Sequence, residues 1–178
     1  MSEAIVTVDI FDTTLRDGAQ SLPEANQFPV GSKVEIADHL ANLGIGVIEA
    51  GFPRTPGDAE EVMEVAKTVG SEEFQVQQWR NGVVVDDRMV TPVIAGLSRT
   101  TEEDVDAAWG SVQSAIFPRI HTFISTDAEH MEAKFPGKTP EEVLEMGRSA
   151  VRHAKQISSE HFGSSVEFSA EAASTTVV

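Results

Sequence analysis

Apolar residues fall in blocks along the chain, and the blocks alternate between two periods. Ile5-Val6-Thr7-Val8-Asp9-Ile10-Phe11 is apolar and β-branched, and predicts a buried strand. Asp12–Pro29 follows, rich in glycine, proline and polar residues, and predicts a long functional loop. Ser32 can cap a helix to about Leu43, with Val34, Ala37, Leu40 and Ala41 on one face, and Gly44 and Gly46 stop it. Val47-Ile48-Glu49-Ala50 predicts a second strand, ended by Gly51-Phe52-Pro53. A helix is expected from Asp58 to about Thr68, with Val62, Val65 and Ala66 as its stripe. Ser71 to Arg88 reads poorly as either period. A third strand is expected over Val90–Leu97, and a helix from Thr101 to about Ser114. Arg119–Ser125 predicts the fourth strand, Thr139-Pro140 opens a helix to about Ile157, and Val166-Glu167-Phe168-Ser169 predicts a fifth strand.

The order is therefore β-α-β-α-β-α-β-α-β, which implies a parallel sheet with helices packed outside. Two α/β architectures fit: an open doubly wound sheet, or part of a TIM (β/α)8 barrel. No Gly-x-Gly-x-x-Gly follows the first strand and no Walker-type loop occurs, which removes the main support for the nucleotide-binding versions. A complete barrel takes about 250 residues. Five strands in 178 residues correspond to roughly its first half. Such a sheet leaves two unpaired edges, so the expectation is a truncated barrel, or a chain that associates to cover them.

Composition narrows the chemistry. The chain has 13 basic and 29 acidic residues, a net charge of −16, which would repel a phosphate backbone and argues against nucleic acid. No apolar run approaches the roughly 20 residues of a membrane span. Met1-Ser2-Glu3-Ala4 lacks the basic and apolar regions of a signal peptide, so a cytoplasmic location is expected. Cysteine is absent, which excludes disulfides, thiolate metal sites and a cysteine nucleophile. Any metal would be held by oxygen or imidazole, which suits Mg²⁺, Mn²⁺ or a histidine-rich Zn²⁺ site.

In both architectures the active site lies at the carboxyl ends of the strands. The residues expected there are Asp12, Arg16 and Asp17 after the first strand and Glu49 on the second. Ser98 and Arg99 follow the third, His121 and Ser125 belong to the fourth, and Glu167, Ser169 and Glu171 to the fifth. Carboxylates, an arginine and a histidine on one rim suit a divalent cation and an anionic substrate. Plainer roles are open for each. Asp12 can cap a turn, and Arg16 and Asp17 can form a surface ion pair. Glu49 and Glu167, inside apolar runs, can be structural ion-pair partners, and His121 can be a hydrogen-bonded core residue. His39, His153 and His161 read as solvated.

Asp12-Thr13-Thr14-Leu15-Arg16-Asp17-Gly18-Ala19-Gln20 resembles the signature of the α-isopropylmalate, citramalate and homocitrate synthase family. Ile48–Pro53, Val93–Leu97, Arg119–Thr126 with His130-Met131, and Val166–Ser169 continue the resemblance in order along essentially the whole chain. The strand-four segment and Glu167-Phe168-Ser169 favour the isopropylmalate branch over the related lyases. The resemblance implies the N-terminal portion of a pyruvate carboxyltransferase-like TIM-barrel catalytic domain, 1–178. It implies an acyltransferase that condenses acetyl-CoA with a 2-oxo acid, 2-oxoisovalerate in leucine biosynthesis, using a divalent metal, in a homo-oligomer. Citramalate or homocitrate synthesis, or a non-catalytic piece of the fold, are the alternatives. By resemblance Asp17 is a metal ligand, Arg16 stabilises the alkoxide, and Glu167 orients the keto acid or assists proton transfer. Gln20, His121 and Ser169 line the substrate pocket. The family's other metal ligands lie in a His-x-His motif, which this sequence lacks, so the chain alone is expected to be inactive. Glu171-Ala172-Ala173-Ser174-Thr175-Thr176 also departs from the usual Glu-Asp-Ala-x-Arg-Thr.

Overall fold

Five parallel strands form one curled sheet in the order β1-β2-β5-β6-β7. They are β1 (Phe11–Asp12), β2 (Val47–Gly51), β5 (Val93–Ser98), β6 (Pro118–Ser125) and β7 (Ser165–Glu171). The structure, a computed structural model, describes residues 8–23, 28–29 and 31–176. Each crossover carries helix: α2 (Ser32–Asn42) before β2, α3 (Pro56–Lys67) before β5, and α4 (Glu102–Val112) before β6. Two helices, α5 (Ala128–Lys134) and α6 (Pro140–Ile157), precede β7. The sequential strand order and one-sided helices make this half of a (β/α)8 barrel rather than a doubly wound sheet.

Helix starts follow local chemistry. α3 begins two residues before the expected Asp58. Thr55 is its N-cap and Pro56 its first residue, and Asp58 closes a capping box back onto Thr55. Thr139 and Glu142 form the same box at α6 behind Pro140. Ser32 does not cap α2: Gly31, at φ 87°, holds the N-cap position. The apolar stripes read from sequence face the sheet, with Ala37, Ala41, Val62, Val65 and Ala66 buried beside Ile48 and Ile94. A second cluster joins Val105, Ala108, Ile120, Ala150 and Ala154. Burying such side chains is worth roughly 25 cal/mol per Å² of apolar surface removed from water.

Within the expected first strand, Val8–Ile10 are not in strand and β1 begins at Phe11 among the described residues. Ile5, Val6 and Thr7 lie outside the described residues, and Val8 and Ile10 are exposed. Among the described residues Phe11 and Asp12 pair with Val47 and Ile48, and β1 stands at the edge of the sheet beside β2.

The poorly read stretch is an antiparallel ribbon, β3 (Phe74–Arg80) and β4 (Val83–Val90), inserted between α3 and β5. Asn81 and Gly82 turn it, both at positive φ (51° and 77°), as a two-residue primed turn requires. Phe74 and Val76 bury their side chains in the α2–α3 core and anchor the ribbon. Val90 therefore ends β4 and does not begin β5, and Pro92, without an N–H, stands in the break.

Ala172, after β7, adopts φ 57°, ψ 33°, a conformation that costs an L-residue roughly 1–2 kcal/mol. Asp, the residue usual in the resembling family, tolerates it better than Ala. Ala172→Gly is expected to raise unfolding stability by about 1 kcal/mol, measured by urea denaturation. A loss of stability would show that the turn is not strained.

Candidate functional site

Asp12 behaves as a turn residue. Its carboxylate accepts from the Thr14 backbone N–H at 2.9 Å and from the Thr14 hydroxyl at 3.2 Å. The chain then coils once as a π-helical turn, Thr14–Gly18, in which the Thr13 carbonyl accepts from the N–H groups of Arg16, Asp17 and Gly18. Leu15 is fully buried and pins this turn to the barrel. The single-turn helix α1 (Ala19–Ser21) continues it. The first part of the expected long loop, Thr14–Ser21, is thus wound tightly over the strand ends, and the winding aims Arg16 inward.

Arg16 Nε donates to Glu49 Oε2 at 2.5 Å, and its Nη1 donates to Asp17 Oδ1 at 2.7 Å. Glu49 is fully buried on β2. Its other oxygen, Oε1, lies 2.6 Å from His121 Nδ1 on β6. A carboxylate only accepts, so Nδ1 carries a proton. Nε2 of His121 lies 2.7 Å from Ser169 Oγ on β7. Phe11 packs edge-on against the imidazole at 5.6 Å between centroids. A continuous chain Asp17–Arg16–Glu49–His121–Ser169 therefore crosses the sheet interior from the β1 loop to β7. Each buried polar atom in it has a partner, as a low-dielectric interior requires.

Above this chain lies a cleft of about 420 Å³, lined by Arg16, Asp17, Gln20, His121, Ser169 and Glu171, with Phe52, Leu97 and Phe123 as apolar walls. Arg16, Asp17, Gln20, His121 and Ser169, all singled out in the sequence, meet here. Glu167 does not line the cleft. It sits two residues before Ser169 on β7 and accepts from Arg119 Nη1 at 2.9 Å, while Arg119 Nε donates to Ser165 Oγ. Arg99 turns away as well. It forms a bidentate pair with Asp104 of α4, which raises its own pKa and holds the Asp104 carboxyl below the usual carboxylate range. Ser98 is buried.

One contributor, Lys134, carried no signal in the sequence. Glu49 was expected at the rim, as a site carboxylate or a structural ion-pair partner, and the curl of the sheet sets it between Arg16 and His121. Lys134 lies on α5, too short for a periodic signal, though Asp127 ahead of it is an ordinary N-cap. Its Nζ reaches Glu171 on the cleft wall. His153, read as solvated, bonds Asp106 through Nε2 at 2.7 Å, and His161 packs edge-on to Trp109.

A divalent ion finds an incomplete donor set. Among the described residues no three His, Asp or Glu side chains converge to hold a metal. Asp17 offers one carboxylate, 70% exposed, with Oδ1 already bonded to Arg16. The residues present do not by themselves fit such an ion. No helix among the described residues is long and apolar enough to cross a membrane.

Comparison with known proteins agrees with this architecture. The sequence model of the HMGL-like family matches residues 7–178. The chain is 46% identical over 169 residues, 93% of its length, to a 2-isopropylmalate synthase of Thermosynechococcus vestitus, of which it covers 27%. It is 44% identical over 165 residues, 92% of its length, to the chloroplastic 2-isopropylmalate synthase 2 of Arabidopsis thaliana, covering 23% of it. It is 44% identical over 171 residues, 96% of its length, to a 2-isopropylmalate synthase of Ruminiclostridium cellulolyticum, covering 28%. The chain thus spans about a quarter of the length of these relatives.

Proposed function

Since the chain belongs to the HMGL-like family, we propose that it is the N-terminal portion of a TIM-barrel catalytic domain of 2-isopropylmalate synthase type. The reaction would be the Claisen condensation of acetyl-CoA with 2-oxoisovalerate, a step of leucine biosynthesis, in the cytoplasm and in a homo-oligomer. The observation that carries this reading is the position of Arg16, whose guanidinium is fixed on buried Glu49 and turned to a cleft at the strand ends.

The chemistry assigned to each group follows from its surroundings. Addition to a ketone puts negative charge on the former carbonyl oxygen. A guanidinium already oriented by two carboxylates stabilises that charge without reorganising. Gln20 and Ser169 offer neutral hydrogen-bonding groups to the carboxylate and ketone of a 2-oxo acid, and His121 is held in place between Glu49 and Ser169. Phe52, Leu97 and Phe123 give the cleft an apolar side suited to a branched alkyl group. Asp17 is assigned as one ligand of a divalent ion, Mg²⁺, Mn²⁺ or Zn²⁺. That ion would need further donors beyond this chain's described residues. Glu167 is assigned a supporting role one layer below Ser169, through its pair with Arg119, rather than contact with the keto acid.

The test is CoA release from acetyl-CoA with Mg²⁺ or Mn²⁺ and a panel of 2-oxo acids. It is run on this chain and on a chimera that continues it with the remaining length of the Thermosynechococcus relative. The chimera is expected to release CoA fastest with 2-oxoisovalerate, and the chain alone at background. A folded chimera without release above background would sink the assignment. Preference for pyruvate or 2-oxoglutarate would move it to the citramalate or homocitrate type.

A further inference from the structure

The cleft wall opposite Arg16 is formed by Glu171, the last residue of β7. Its surroundings are more organised than a rim position requires. The Glu171 carbonyl accepts from the Thr126 N–H and the Thr126 hydroxyl, both at 3.1 Å, which fixes its backbone to the end of β6. Its carboxylate Oε2 accepts from Lys134 Nζ at 2.5 Å and from the Ser125 hydroxyl. Lys134 Nζ donates to Ser125 Oγ as well, at 2.9 Å, so the three side chains close a ring. Lys134 comes from the last turn of α5 and reaches the wall from outside, through a neighbouring cavity that it lines with Ser125, Phe135 and Met146.

α5 itself has no buried residue. It is held by its cap, where Asp127 accepts from the His130 N–H and from the His130 ring, and by the Lys134 contacts. A helix of seven residues without a buried face is marginal alone. The Lys134–Glu171 bond therefore serves both partners, aiming the carboxylate and seating the helix.

We propose that Lys134 is a positioning residue, which holds Glu171 in one orientation on the cleft wall and makes α5 a strut for the site. The proposal rests on reading the cleft as the substrate site, but its geometry does not depend on which keto acid enters. Lys134 and Ser125 also hold the Glu171 carboxyl below its ordinary range, with a smaller contribution from His130. The Lys134 ammonium thus favours the ionised, directed form of the Glu171 carboxyl.

The test is made on the chain itself and needs no turnover. The Glu171 side-chain carboxyl is titrated by carbon-detected NMR in the wild type, Lys134→Met and Lys134→Arg. Amide exchange is followed across α5, with β6 as internal reference. In Lys134→Met the midpoint is expected to rise toward the ordinary glutamate value of about 4.3. The α5 amides are expected to exchange roughly tenfold faster while β6 is unchanged. Lys134→Arg should restore both. Should Lys134→Met lose β6 protection as well, Ser125→Ala, which removes the second donor to Glu171 and one acceptor of Lys134, is read in its place and is expected to raise the midpoint by a smaller amount. An unmoved midpoint, or unchanged α5 exchange beside intact β6, overturns the proposal. An inactive chimera in the CoA assay would count against the functional reading alone, because these readouts are independent of catalysis.

Discussion

Glu49→Ala is expected to lower unfolding stability by about 3–5 kcal/mol, the largest effect of any single change at the site. The carboxylate is fully buried and accepts one short hydrogen bond from Arg16 and another from His121. Removing it leaves a guanidinium, 19% exposed, and a buried imidazole N–H facing a cavity with no acceptor. The penalty comes from desolvated groups left unpaired more than from the bonds lost. Glu49→Gln keeps the shape and one acceptor oxygen but presents its amide N–H₂ to one of two donors, and is expected to fall between. Urea denaturation followed by fluorescence measures both. A loss below about 1 kcal/mol for Glu49→Ala would mean that Arg16 and His121 find other partners or water.

The second prediction separates catalysis from folding. In the chimera, Arg16→Ala is expected to reduce kcat for CoA release by about 10²–10³, the usual result of deleting a preorganised oxyanion donor. Arg16→Lys recovers little, because a single ammonium cannot reproduce a fork already engaged with Glu49 and Asp17. Asp17→Ala is expected to abolish release. Asp17 is largely exposed and its salt bridge is a surface contact, so the same change should shift stability by less than about 0.5 kcal/mol. Activity is read with acetyl-CoA and 2-oxoisovalerate, and stability by urea denaturation of the same preparations. Turnover retained in Asp17→Ala would remove it from the metal site. Retained kcat in Arg16→Ala would remove the alkoxide role.

The hydrophobic pattern alone carried the class of the fold. Helix stripes such as Val62-Val65-Ala66, and β-branched runs such as Val47-Ile48 and Ile120–Ile124, are local signals with fixed periods, and each formed the expected element. Capping chemistry at Thr101 and Thr139 is local too, since the cap and its partner lie three residues apart. Where the reading failed, the deciding force was not periodic. The ribbon β3–β4 is announced only by Asn81-Gly82, and its burial depends on Phe74 and Val76 meeting α2. α5 is too short to show a stripe. Pro92 splits one apolar run between two strands of different sheets.

The site divides along the same line. The residue types at the rim, Arg16, Asp17, His121 and Ser169, are readable from sequence because strand ends in a parallel sheet point one way, and Gln20 was marked by the family resemblance alone. Their pairing is not. Glu49 and Glu167 are equivalent by pattern, each a carboxylate in an apolar strand, yet one bridges Arg16 and His121 under the cleft and the other faces Arg119 outside it. Which carboxylate meets which cation depends on strand register and on the curl of the sheet. Those bring together residues 33 to 72 positions apart, a relation no local period encodes. The Asp12–Gln20 signature carries the resemblance, and the tertiary structure decided that its arginine is held by a buried glutamate on the next strand.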